Sequence, residues 1–100
     1  LADQRPDGWK TDYAKLRVQF QGETSKAILL TETWLRQKGD PALQTKYREM
    51  LEHANSDLAK HQARYPAILL DGTNPDYVAS MQNVNSNFDR LLAFVHSTLN

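Results

Sequence analysis

One hundred residues, 40% of them apolar and 24% charged, suffice for one modest core, leave no comfortable room for a second domain, and are too apolar for disorder. Twelve basic residues balance twelve acidic ones, which removes the positive field of a nucleic-acid binder and any pull toward anionic lipid. The absence of cysteine excludes disulfides and thiolate metal sites, and it suits the cytosol or an oxidising periplasm equally.

The first element is expected over about residues 8–37, with Asp7 as N-cap ahead of Trp9. A 4-3 spacing gives Trp9, Tyr13, Leu16, Phe20, Glu23, Ala27, Leu30 and Trp34, all apolar or aromatic except Glu23. The stretch QFQGETSKAIL interrupts this pattern with a glycine, an acid and two hydroxyls. Because the phase before Gly22 continues after it, the spacing predicts one long helix, with Gly22 costing about 1 kcal/mol relative to alanine. A break at 21–25 is the alternative, and it would make four helices out of three. The run Ala27 to Leu30 is the longest apolar run and is far too short to span a bilayer.

Asp40-Pro41 after Gly39 marks the second start, an N-cap followed by proline at the first helical position. Its seam reads Leu43, Tyr47, Met50 or Leu51, Ala54, Leu58, His61 and Tyr65, over about 41–65. Pro66 ends it. The connection 66–73 (PAILLDGT) carries Ile68, Leu69 and Leu70, which are expected to cap one end of the core. Asn74-Pro75-Asp76 repeats the start grammar, and Tyr77, Met81, Val84, Phe88, Leu91, Val95 and Thr98 give a third helix over about 75–99. Strand signals are absent. The expected fold is all-α: a single domain over 1–100, an antiparallel up-down bundle of three long helices, or of four if the first breaks near Gly22.

Chemistry-bearing candidates are few. Glu23 on the seam reads either as a buried ligand-binding acid or as a polar register residue paired with Lys26. With Trp34, Tyr47 and His61 it makes up the candidate ligand-binding set, since buried Trp and Tyr need partners for N–H and O–H and rings near the bundle ends could line a small pocket. His53, Asp57 and His61 are spaced i, i+4, i+8 behind Glu49, but that row slants off any one helix face, so no closed metal site is expected. Ser25, Ser56, Ser80, Ser86 and Ser97 fall inside predicted helices, where no strained nucleophile turn exists, and no phosphate-binding glycine loop is present. No catalytic residue, cofactor or metal is assigned, and an enzyme is not expected. On the face opposite the seam, Ala14, Val18, Gly22, Ser25 and Leu29 are small or apolar where a solvated face should be charged, which points to a homodimer interface.

The stretch ILLTETWLRQKGDPALQTKYREML, a helix, a Gly-Asp-Pro turn and a second helix, resembles the extracytoplasmic helical-bundle sensor domains of bacterial membrane receptors, of the histidine-kinase and chemoreceptor type. The resemblance implies a periplasmic domain that senses a small-molecule or protein ligand and passes small helix shifts to an output module. The start at Leu1 in place of Met fits an excised piece, with any membrane anchor outside this chain. Insertion between two membrane spans requires both ends on one side, hence an even helix count, and a three-helix reading conflicts with that. SNFDRLLAFVHSTL resembles the last helix of a spectrin-like repeat, which would imply a three-helix scaffold. A cytoplasmic adaptor bundle that offers a groove to a partner helix is the remaining alternative.

Overall fold

A computed structural model of the chain describes residues 5–21, 25–66, 72 and 74–99. Among these, all regular structure is helical: α1 Tyr13–Gln19, α2 Lys26–Lys38, α3 Pro41–Arg64 and α4 Pro75–Leu99. The expected rod over 8–37 is therefore two helices, and the four-helix alternative is the one that holds.

The reasons are local. Gly8 has a positive φ of 76°, and a Cβ there would lie 3.0 Å from the Asp12 Cβ. Residues 7–11 are turns tied by Trp9 N–H to the Pro6 carbonyl (3.1 Å) and Asp12 N–H to the Gly8 carbonyl (2.9 Å). Asp12, not Asp7, caps α1, accepting from Lys15 N–H at 3.0 Å. At the interruption, Ser25 Oγ accepts from Ile28 N–H at 3.3 Å and donates to the Gln19 carbonyl. One hydroxyl closes the end of α1 and opens α2. The helical phase also resets by one position. The expected seam Ala27, Leu30, Trp34 is replaced by a buried side of Ala27, Ile28, Thr31 and Leu35. Gly22 and Glu23 lie outside the described residues, as do Ile68, Leu69 and Leu70.

The other boundaries match the expected caps. Asp40 Oδ1 accepts from Ala42 and Leu43 N–H at 3.0 and 3.3 Å, behind Gly39 with φ 69°. Asn74 Oδ1 accepts from Asp76 N–H at 2.9 Å at the start of α4.

Contacts give the directions. His61 faces Ser80, Asp57 faces Asn83 and Asn87, and Lys46 reaches the Phe94 ring. Rising numbers on α3 meet falling numbers on α4, so the two are antiparallel. Trp9 lies against His96, and Arg17 binds Asn85 and Asp89, so α1 runs opposite to α4. Trp34 near the end of α2 meets Thr98 near the end of α4, so α2 returns to the pole from which α1 departed.

The core is built from all four helices: Leu16 from α1, Ile28 and Leu35 from α2, Tyr47 and Ala54 from α3, Phe88 and Leu91 from α4. Phe20, just past α1, is buried against the edge of the Tyr47 ring, with centroids 6.4 Å apart. The 24- and 25-residue α3 and α4 form the frame. The 7- and 13-residue α1 and α2 cover its pole-ward half, within a molecule measuring 48 × 24 × 21 Å.

Replacing Ser25 with alanine is expected to destabilise the fold by about 1 kcal/mol through loss of the cap. Inside one continuous helix the same change would stabilise by up to about 0.5 kcal/mol through alanine's propensity. The sign of the shift in urea unfolding separates the two.

Candidate functional site: a groove between α2 and α3

Between α2 and α3 lies an open groove of about 630 Å³, a size that admits a small molecule. Ile28 and Glu32 come from α2, one turn apart. From α3 come Arg48, Leu51, Glu52, Asn55, Ser56 and Ala59, whose spacing is one stripe of a helix. The floor is apolar, with Ile28 and Leu51 buried. The rim carries two carboxylates, a guanidinium, an amide and a hydroxyl. Asn55 Nδ2 donates to the Phe20 carbonyl at 3.1 Å and to the Leu51 carbonyl at 3.3 Å, which ties α3 to the end of α1.

Tyr47 sits beneath the rim and lines a smaller recess of about 30 Å³ with Glu32, Arg36 and Arg48. Its hydroxyl donates to the Ile28 carbonyl at 3.4 Å, and the side chain is 1% exposed. Burial pushes its phenol well above the ordinary value, the Glu32 charge pushes the same way, and a hydrogen bond with Thr31 opposes them. Tyr47 is thus a neutral donor that holds α3 to α2.

The candidate ligand set does not come together. Trp34 lies at the pole where the chain ends meet, its Nε1–H donating to the Thr98 carbonyl at 3.3 Å. His61 lies fourteen residues beyond Tyr47 on α3, roughly 21 Å along the helix. It is buried between the Tyr65 and Tyr77 rings, with centroids at 5.3 and 5.1 Å, and its Nδ1 lies 2.8 Å from Ser80 Oγ. Glu23 is outside the described residues.

The histidine row is taken up by helix pairing. Asp57 accepts from Asn83 and Asn87 at 3.1 and 2.6 Å, and His53 Nε2 lies 3.6 Å from the same carboxylate. Among the described residues no group of three or more His, Asp or Glu side chains is placed to hold a metal ion. The small-residue stripe is also divided. Val18 is 70% and Leu29 56% exposed, but they sit on helices that run in opposite directions. Ala14 is exposed, and Ser25 is the α2 cap.

Arg48, Glu52, Asn55 and Ser56 were not among the candidates. The signal was present as polar residues at i, i+4, i+7 and i+8 beside the seam, which reads equally as a solvated helix face. Only the end of α2 cover beside them turns that face into a groove wall.

Among the described residues no helix is long and apolar enough to cross a membrane. No family model, curated protein or solved structure matches the chain.

The raised phenol of Tyr47 carries a signed pH dependence. Below pH 10.0, the ordinary value, the phenol is neutral in both folded and unfolded chains. Above it the unfolded chain loses the proton and the folded chain keeps it, so stability falls as pH rises. The slope from this group grows toward about 1.4 kcal/mol per pH unit as the unfolded phenol becomes fully ionised. Tyr47→Phe keeps the ring and should flatten the decline in urea unfolding between pH 10 and 11. An unchanged slope would show that Tyr47 is not the group responsible.

Proposed function

We propose that the chain is a non-catalytic sensing domain, an antiparallel up-down helical bundle that takes a small ligand in the α2–α3 groove. In this reading it is the extracytoplasmic part of a bacterial membrane receptor, and helix shifts carry the response to the ends of the chain. The observation that carries the proposal is the meeting of those ends. Arg5 Nη1 donates to the Leu99 carbonyl at 3.0 Å, and His96 Nδ1 lies 3.1 Å from the Trp9 carbonyl. Residues 5 and 99 thus lie together at one pole, the arrangement that insertion between two membrane spans requires. Four helices satisfy the even count that three could not. A spectrin-like scaffold needs a chain that enters at one pole and leaves at the other, so the same contact weighs against that alternative.

The groove supports the sensing half of the reading. It combines an apolar floor with a few convergent polar groups, the usual composition of a small-molecule site. A thermal-shift screen over small metabolites and divalent metals is the direct test. A ligand at about one hundred times its Kd adds about 2.7 kcal/mol of stability. The melting temperature of the wild type should rise accordingly. The double variant Arg48→Ala, Glu52→Ala should melt like the unliganded wild type in either condition, since both side chains are exposed. Silence of the wild type across the screen would sink small-molecule sensing and leave a protein partner.

We assign a second copy of the chain to the exposed Val18 and Leu29, large apolar side chains left open to solvent where a solvated face should carry charge. Sedimentation at micromolar concentration is expected to show a dimer. Val18→Glu with Leu29→Glu should yield a monomer of unchanged helicity. A wild-type monomer removes the pairing from the proposal.

A further inference from the structure

The pole where the chain ends meet holds a second built feature, distinct from the groove. The Arg5 guanidinium carbon lies 3.9 Å from the centroid of the Trp9 ring and 5.0 Å from that of Trp34. Both distances fall within the range where a ring quadrupole attracts a cation. Its Nη1–H reaches the Leu99 carbonyl at 3.0 Å. Trp34 is itself fixed by its bond to the Thr98 carbonyl, at 3.3 Å. These carbonyls lie on adjacent residues of α4 and face the same pole as the two indoles.

Two features therefore converge on one planar cation: a pair of indole rings and a carbonyl acceptor. They suit a guanidinium better than a rounder cation, because the plane stacks on rings while its N–H groups donate at the edge. A quaternary ammonium would meet the rings but could not donate to Leu99. The side chain that fills the site comes from the turn segment before α1, and Arg5, Trp9 and Trp34 are each only partly buried, so the site opens to solvent.

We propose that Trp9, Trp34 and the Leu99 carbonyl form a guanidinium-recognition site that the chain fills with its own Arg5. A guanidinium-bearing ligand in solution competes with Arg5 for this site, and its binding releases the segment before α1 from the end of α4. Arg5 is tethered, so its effective concentration at the site is on the order of millimolar or higher. A competitor in trans must exceed that, and removing Arg5 removes the competition.

The probe is methylguanidinium, followed by tryptophan fluorescence. Arg5→Ala should show a saturable response with an apparent affinity at least about tenfold tighter than the wild type, as expected once the tethered competitor is gone. Tetramethylammonium should bind Arg5→Ala more weakly than methylguanidinium. The double variant Arg5→Ala, Trp34→Leu should lose the saturable response. A second measurement needs no variant to fold. In the wild-type chain the Trp34 indole N–H resonance should move with methylguanidinium and stay in place with sodium chloride of equal ionic strength. A non-saturating titration of Arg5→Ala, a response that survives loss of Trp34, or an indole resonance that follows ionic strength alone would each overturn the proposal. Failure of the groove to bind any metabolite would leave it standing, since the two sites share no residue.

Discussion

The Ser25 hydroxyl decides the topology. It donates to the last carbonyl of α1, on Gln19, and accepts from Ile28 N–H, so one side chain finishes one helix and begins the next. A continuous rod would have carried Trp9 and Trp34 roughly 37 Å apart, twenty-five residues at about 1.5 Å each. The reversal instead brings both indoles onto the same guanidinium. Everything placed at that pole follows from the reversal, including the bond between Arg5 and Leu99 and the seat of Trp34 on Thr98.

The reversal also makes the groove. Two short helices cannot cover the full length of α3 and α4, so the side of α3 that runs from Arg48 to Ala59 is lined by α2 only at Ile28 and Glu32. Beyond it, α3 and α4 hold each other through polar contacts: Asp57 with two asparagines, and His61 with Ser80 beside an edge-to-face pair of tyrosine rings. Arg17 makes a comparable polar bond across to Asn85 on α4. An asparagine-rich helix face thus pins register on two sides at once. These contacts, most of them part-buried, favour one alignment, because a shifted amide would lose its partner.

Much of this was legible in the residues. The caps at Asp40 and Asn74 were, because proline behind an Asx residue leaves few other conformations. So was the inner face of α4, where Val84, Phe88, Leu91 and Val95 are buried at the expected spacing. The break near Gly22 is hidden because Ala27, Leu30 and Trp34 continue the 4-3 count. The buried side of α2 runs one position later, through Ile28, Thr31 and Leu35, so a continuing count does not prove a rod. Ser25 was the missed signal. Its hydroxyl three residues ahead of Ile28 is an N-cap spacing, and that outweighs a seam residue as unsuitable as Glu23. Trp34 and Tyr47 were drawn as pocket residues on ring chemistry alone, but each uses its polar atom on a backbone carbonyl. The groove was illegible because it arises where a helix ends in space, and periodicity along α3 cannot show what stands opposite it.

The placement of α2 joins the two sites. Ile28 and Glu32 line the groove, and Trp34 lies two residues past Glu32 on the same 13-residue helix. Six residues separate Ile28 from Trp34, about 9 Å of axis, which is short enough for the helix to move as one body. A ligand that draws α2 toward α3 must therefore shift Trp34 against the Thr98 carbonyl and the Arg5 guanidinium. The bond from Tyr47 to the Ile28 carbonyl, long at 3.4 Å, is one restraint on that motion, and Leu35 and Thr31 are buried on the packed side. Helix sliding of this kind is a known way for packed bundles to pass a signal, since packed interfaces settle in discrete arrangements. The chain thus places α2 between a groove open to solvent and the pole where Arg5 meets Leu99.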